Sequence, residues 1–277
     1  MAHGSPDTGD PHRMKPWNAT KIRAMKGREK IPCLTAYDAI TGRLADLADI
    51  PLLLVGDSLA TTALGHDTTI PATVDIMVHH VAAVSRGVEK AMVVADMPFL
   101  SYRTPMEALD NAGRFLREGG ADAVKLEGGE SRAEVIRALV DNGIPVMAHI
   151  GVLPQSVRAS GYRAKGGTDA EAEQLRRDAD AVAAAGAFSV VLECVRTPLP
   201  GEITRRVPIP TIGIGAGSDC DGQILVVADM LGLMPGSASP KFVRRFAEIG
   251  EAAVAGIREY AAAVRDSSYP APEHEYK

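Results

Sequence analysis

Eight short apolar runs punctuate the chain, and polar stretches with helical periodicity separate them. The runs span 31–37 (IPCLTAY), 51–57 (PLLLVGD), 91–97 (AMVVADM), 122–128 (DAVKLEG), 145–151 (PVMAHIG), 188–194 (FSVVLEC), 210–216 (PTIGIGA) and 223–229 (QILVVAD). Most are continuously apolar and rich in Val, Ile and Leu, as expected of parallel strands covered on both faces. AITGRLADLAD, TVDIMVHHVAAVSRGVEK, MEALDNAGRFLREGG, SRAEVIRALVDNG, TDAEAEQLRRDADAVAAAG and EITRRV follow the first six runs with a helical pattern. The glycines ending the third of these are a C-cap signal, and Ser131 is the expected N-cap of the fourth. The connection between runs seven and eight is too short for a full helix. A long last helix is predicted over 240–264, closing the shell. This alternation predicts an α/β fold, a (β/α)8 TIM barrel in a single domain. A doubly wound open sheet is the second reading, but it would strand some of the acidic strand ends away from a switch-point pocket.

The 277 residues, 46% hydrophobic and 23% charged, suit one barrel with a sizeable core. The expected catalytic domain spans 29–265, between a polar, Pro/Gly-rich flexible lead-in (1–28) and a flexible tail (266–277). A net charge of −5 gives no sign of a nucleic-acid or anionic-membrane partner. No run is long enough to span a bilayer, and the start of the chain has no apolar signal-peptide core. Three widely spaced cysteines, Cys33, Cys194 and Cys220, argue against a disulfide framework or zinc cluster. Buried thiols in a reducing, cytoplasmic setting are the expectation.

Chemistry collects where the runs end. Asp57 and Ser58, Asp96, Lys125 and Glu127, His149, and Glu193 each close an apolar run. In a parallel barrel, those ends meet around one pocket. Asp57 and Asp96, with Glu127 one strand further, suit a hard cation such as Mg2+, which takes few carboxylates and keeps several waters. The structural alternative is that Asp57 caps a turn and Asp96 pairs with a lysine. Lys125 and Glu127 are two apart and so share one face of a strand. A buried pair facing the helices would be costly, so both are placed inward. Lys125 there suits a substrate carboxylate or a developing enolate. A Schiff-base role comes second, because neighbouring anions stabilise the ammonium. Glu193, partly desolvated at a strand end, is a candidate proton acceptor, with a structural ion pair as the alternative. His149 stays open between a catalytic and a core role. The GIGAG run, Gly213–Gly217, is either a phosphate loop or a tight turn. His79 and His80 lie within a helical pattern and are taken as surface or packing residues.

The runs VGDSL, ADMPFLSY, GADAVKLEGG, GIPVMAHIG, LECV and IPTIGIGAG, in this order, resemble the ketopantoate hydroxymethyltransferase family over about Lys30 to Ala247. The resemblance implies a Mg2+-dependent barrel that moves a one-carbon unit from 5,10-methylenetetrahydrofolate to the 2-oxo acid 3-methyl-2-oxobutanoate through a metal-stabilised enolate. It also implies a homo-oligomer, a decamer. By the same resemblance Asp57 and Asp96 are metal ligands that also meet the substrate, and Glu127 reaches the metal through water. Ser58 and Lys125 hold the 2-oxo acid, His149 lines the site, and Glu193 is the base.

Some positions depart from the family pattern. Ala60, Thr61 and Thr62 follow VGDSL where Gly-Met is common, and Thr73–Met77 replaces a more acidic stretch. Ala148 precedes His149 where glycine is common, and Val152 and Leu153 alter the Leu-Thr-Pro-Gln loop. Lys165 and Ala228 replace a usual glutamine and histidine. Most of these positions are expected at the pocket rim. They raise the alternative of a specialised paralogue acting on a different 2-oxo acid. A Mg2+-dependent carbon–carbon lyase of the isocitrate lyase type is a further alternative, although its KKCGH-like cysteine loop is absent. A non-catalytic binding relative is a third; it would tolerate loss of Glu193 or of a metal aspartate, and both are present.

Overall fold

The computed structural model describes residues 15–236 and 239–276. The chain forms two compact units, one reaching to Val226 and one starting at Val227. In the first, eight strands close into a barrel in chain order: β1 (Ile31–Thr35), β2 (Leu52–Val55), β3 (Met92–Asp96), β4 (Ala123–Glu127), β5 (Val146–Gly151), β6 (Ser189–Glu193), β7 (Thr211–Ile214) and β8 (Gly222–Leu225). Every neighbouring pair is parallel, β8 with β1 included. Closure removes the open-sheet reading. The eighth strand is shorter than predicted, because residues 227–230 turn into a helix instead of continuing it.

The helices of this unit are α1 (Ala19–Ala24), α2 (Ala39–Leu47), α3 (Leu59–Thr62), α4 (Val74–Gly87), α5 (Pro105–Arg117), α6 (Ala133–Asp141), α7 (Val157–Ser160), α8 (Asp169–Ala184) and α9 (Leu199–Arg206). Side chains fix five of the starts. Asn18, Asp38, Thr73, Thr104 and Thr168 each accept a hydrogen bond from the backbone three residues on, satisfying an amide that has no intrahelical partner. Ser131 does not do this. Residues 130–132 form a 3-10 turn, and α6 starts after Arg132 without a side-chain cap. Asp178 takes the Glu130 amide instead, so the turn is tied to α8 and no serine cap is needed. Residues 15–28, expected within the lead-in, hold α1, whose Ile22 is fully buried.

Side chains alternate inward and outward along each strand. Ile31, Cys33, Leu52, Leu54, Met92, Val94, Ala123, Met147, Val191, Ile212 and Ile224 join Ile22 and Met25 in one buried cluster. The helix α1 therefore packs against the end of the barrel where the strands begin. Continuing the two-residue period along the strands places Asp96, Lys125, Glu127, His149 and Glu193 on the same inward face, at the opposite end.

The second unit contains α10 (Val227–Met230) and α11 (Ile249–Arg265). The predicted last helix begins nine residues late. The amides of Phe246, Ile249 and Gly250 donate to the carbonyls of Met230, Leu231 and Gly232. An amide engaged this way is lost to a helical ladder, so α11 starts only at Ile249.

Candidate active site

The strand register assembles the site. Asp96 lies opposite Lys125, Glu127 opposite His149, and Gly151 opposite Glu193. Lys125 Nζ lies 2.8 Å from Asp96 Oδ2 and 3.8 Å from Glu127 Oε1. His149 bridges the next step, with Nδ1 3.7 Å from Glu127 Oε1 and Nε2 3.3 Å from Glu193 Oε2. The Asp57 amide donates to Asp96 Oδ2 at 3.1 Å, which joins β2 to the chain of contacts. Ser58 is held by a 2.8 Å hydrogen bond to the Tyr37 hydroxyl, which also accepts from Thr35. Asp57, Asp96, Lys125, Glu127, His149 and Glu193 are thus linked in one chamber, and Ser58 follows Asp57 in the chain with its hydroxyl on Tyr37. Asp57, Asp96, Lys125, Glu127 and His149 are buried, and Glu193 keeps 18% of its side chain exposed.

Glu193 owes its place to a glycine. Gly151 has φ +104°, and a Cβ there would lie 2.3 Å from the Glu193 carbonyl oxygen. Only glycine allows β5 and β6 to approach this closely while Val152 donates to that same carbonyl.

Burial dominates the electrostatics. It pushes the Asp96 carboxyl up to about 7; Lys125 opposes the shift and the Asp57 charge adds to it. Burial likewise raises Glu127 well above the ordinary carboxylate range, against Lys125. For Lys125 burial favours the neutral amine, but Asp96, Glu127 and Asp57 outweigh it and hold the ammonium above its ordinary value. A charged lysine cannot form an imine, which disfavours the Schiff-base alternative. Burial and the Lys125 charge lower His149, with Glu193 opposing, so the imidazole is neutral at pH 7.

Three carboxyl groups thus surround one ammonium, and burial pushes two of them, Asp96 and Glu127, towards the protonated form. Asp96 does pair with a lysine, as the structural alternative held, yet its Oδ1 is buried without a hydrogen bond, and so is Glu127 Oε1. Such groups are costly unless a ligand or water completes them. Oxygen donors of this kind fit a hard divalent cation. Among the described residues no three His, Cys, Asp or Glu side chains converge as a ready-made metal cage.

Gln155 and Tyr102 belong to the site, and sequence reasoning did not single them out. Both are buried, and each sits a few residues past the end of a strand. That position was the available signal, but an uncharged side chain there looks like any loop residue. A cavity of about 160 Å3 lies beside Glu127 and Gln155, lined also by Phe99, Tyr102, Arg132 and Leu153.

The expected rim positions divide. Ala60 is fully buried in α3, and Thr61 and Thr62 spend their hydroxyls on the Ser58 carbonyl. The Lys165 backbone pairs with that of Cys194 and Arg196, just beyond Glu193. Ala228 lies in α10 of the second unit. His79 is exposed, and His80 Nδ1 lies 2.6 Å from the Tyr37 carbonyl oxygen, a packing role. In the GIGAG run, Gly215 and Gly217 adopt positive φ, as a tight turn requires. All three cysteines are free, Cys33 and Cys220 buried and Cys194 partly so.

Comparison with known proteins extends this geometry. The family model described as ketopantoate hydroxymethyltransferase matches residues 16–272. A 3-methyl-2-oxobutanoate hydroxymethyltransferase of Moorella thermoacetica is 50% identical over 260 residues, covering 93% of this chain and 96% of that protein. One from Syntrophotalea carbinolica is 53% identical, covering 92% and 96%. Among solved structures, a 2,3-dimethylmalate lyase of the PEP mutase/isocitrate lyase superfamily superposes with TM-score 0.60 at 17% identity, covering 96% and 89%. A phosphonopyruvate hydrolase complexed with oxalate and Mg2+ superposes with TM-score 0.60 at 14% identity, covering 94% and 93%. At such identities the likeness is one of fold alone. No helix among the described residues is long and apolar enough to cross a membrane. The match across nearly the whole chain and the half-identical relatives establish that this chain belongs to the ketopantoate hydroxymethyltransferase family.

Proposed function

We propose that this chain catalyses hydroxymethyl transfer from 5,10-methylenetetrahydrofolate to 3-methyl-2-oxobutanoate, giving 2-dehydropantoate. The observation that carries the reading is the unbroken run of contacts from Asp96 through Lys125, Glu127 and His149 to Glu193, at 2.8–3.8 Å, in a member of this family. Asp57 and Asp96 would hold Mg2+, with Glu127 reaching it through water. When bound there, the cation supplies a Lewis acid for the 2-oxo group.

The remaining roles belong to the chain itself. Lys125 and Ser58 hold the 2-oxo acid, and the Lys125 ammonium offsets negative charge as it develops. Glu193 accepts the C3 proton. Neutral His149 has its Nε2 3.3 Å from Glu193 Oε2 without a hydrogen bond between them, and a small ring rotation would let it donate one and orient that carboxylate. The C3 carbon then bonds the one-carbon unit as the first of its two bonds to folate nitrogen breaks; water displaces the second nitrogen to leave the hydroxymethyl group, and the proton taken from C3 and one proton of that water end on the two folate nitrogens. All of these side chains fall within the proposed catalytic domain, 29–265.

The same reading takes the protein to be a homo-oligomer, a decamer as in the family. Apolar Ile257, Tyr260 and Val264 of α11, all exposed in the single chain, supply surface for self-association. Three free cysteines suit a cytoplasmic setting.

The test is proton NMR of 3-methyl-2-oxobutanoate in D2O with enzyme and Mg2+, without folate. Wild type should exchange the C3 proton. Glu193→Gln should slow exchange by about 10²–10⁴-fold, the usual worth of a general base, and leave 2-oxo acid binding intact. Exchange at the wild-type rate in Glu193→Gln would show that another group is the base.

A further inference from the structure

Gln155 lies in the short turn that follows β5, is 4% exposed, and has every hydrogen-bonding group of its amide engaged. Its Nε2 donates to Asp57 Oδ2 at 3.0 Å and to the Met97 carbonyl at 3.0 Å. Its Oε1 accepts from the Tyr102 hydroxyl at 2.5 Å. The two neighbours of Nε2 are acceptors only, so the amide has one workable orientation; reversed, it would set oxygen against a carboxylate and a carbonyl. The backbone amide of the same residue donates to Glu127 Oε2 at 3.2 Å. One residue therefore ties down one oxygen on each of two site carboxylates, from strands β2 and β4. What remains is Glu127 Oε1, buried without a hydrogen bond and facing the Lys125 ammonium at 3.8 Å, and Asp57 Oδ1, which accepts no hydrogen bond among the described residues. Tyr102 is itself fixed, buried with the Arg132 guanidinium 5.4 Å above its ring.

We infer that Gln155 is a positioning residue for the metal site, locked by Tyr102, that fixes Asp57 and Glu127 so that one oxygen of each is presented to a divalent cation or its water. The inference rests on the proposed cation site at Asp57 and Asp96. Mg2+ demands near-octahedral geometry and tolerates misdirected ligands poorly. Partners that orient a ligating group typically contribute 10–100-fold to metal affinity. A neutral amide does this without adding another acidic group to a chamber that already holds four carboxyls.

The test uses Mn2+ as probe, its free-ion EPR signal giving the Kd for the full-length metal-free protein, alongside the activation constant for Mg2+. Gln155→Met keeps the side-chain length and removes all three amide hydrogen bonds. Its Mn2+ Kd should rise about 10–100-fold. The Mg2+ concentration for half-activation should rise in parallel, while the melting temperature of the metal-free protein changes far less than loss of the fold would require. Tyr102→Phe should raise the Kd by a smaller factor, several-fold, and decides the matter if Gln155→Met does not fold. An unchanged Kd in the folded variants, with wild type binding Mn2+ normally, overturns the role of Gln155 and leaves the cation site standing. Failure of wild type to bind Mn2+ overturns the cation site itself.

Discussion

Replacing Lys125 by Met removes the cation at the centre of the carboxylate cluster. At an effective dielectric of about 20, one charge pair at the observed 2.8 Å attracts by roughly 6 kcal/mol, and desolvating the ions offsets several kcal/mol of this. Deleting one partner of a buried pair, however, leaves the other charge uncompensated, at a cost of about 3–5 kcal/mol. Here Asp96 and Glu127 are both left, and because burial already favours their protonated forms the cost lies towards the lower end of that range. In a chain of this size such a loss lowers the melting temperature by on the order of 10 °C. The ammonium is held above its unfolded value, so its contribution is complete below the unfolded lysine pKa, about 10.4. It is lost only as pH rises through the still higher folded value, and at pH 7.5 the whole effect is present. The assay is thermal unfolding in EDTA. Lys125→Met should melt well below wild type, and adding Asp96→Asn should recover part of the loss, because the two changes share one interaction. A melting temperature within about 2 °C of wild type for Lys125→Met would refute the reasoning, since a loss of about 3 kcal/mol cannot hide in that interval. A double variant less stable than the single one by the full cost of Asp96→Asn alone would show that the two groups do not interact.

Two further outcomes follow from particular contacts. Gly151→Ala combines a positive φ with a Cβ 2.3 Å from the Glu193 carbonyl. It should cost about 1–3 kcal/mol of stability and lower kcat more than it raises KM, because it shifts the strand end that carries the proposed base. An Ala variant with wild-type melting and kcat would show that the two strands separate freely. Asp46→Ala, in α2 and outside the strand-end cluster, removes the carboxylate that accepts the amides of Glu89, Lys90 and Ala91 ahead of β3. Leaving such donors unsatisfied should cost about 2–4 kcal/mol in urea unfolding, with Mn2+ affinity unchanged in the folded protein. A loss below about 0.5 kcal/mol would mean that water replaces the carboxylate fully.

Much of the architecture was legible because its causes are local. Parallel strands buried on both faces need continuous apolar runs, and the eight runs bracket the eight strands, with β8 starting one residue early and ending short of its run. Charged residues ending those runs marked the site because a charge at a buried strand end is costly unless the pocket uses it. The same spacing of two placed Lys125 and Glu127 together on the inward face. Ser131 misled because a serine before an apolar stripe suits a cap wherever it falls. Whether it acts as one depended on Asp178, 47 residues further along, taking the Glu130 amide. The start of α11 was hidden for the same kind of reason, since backbone bonds to residues 230–232 compete with the helix.

By itself, the sequence determined the order of strands and helices and which charged side chains close the strands, through periodicity and the cost of burying charge. Tertiary structure decided how those charges share the chamber. The register of β3, β4, β5 and β6 chose which carboxylate meets Lys125 and which meets His149, and burial then set their protonation. It also brought Gln155 to Asp57, 98 positions away along the chain. An amide in a loop carries no local mark of the carboxylate it will hold, because that partner is chosen only when the barrel closes.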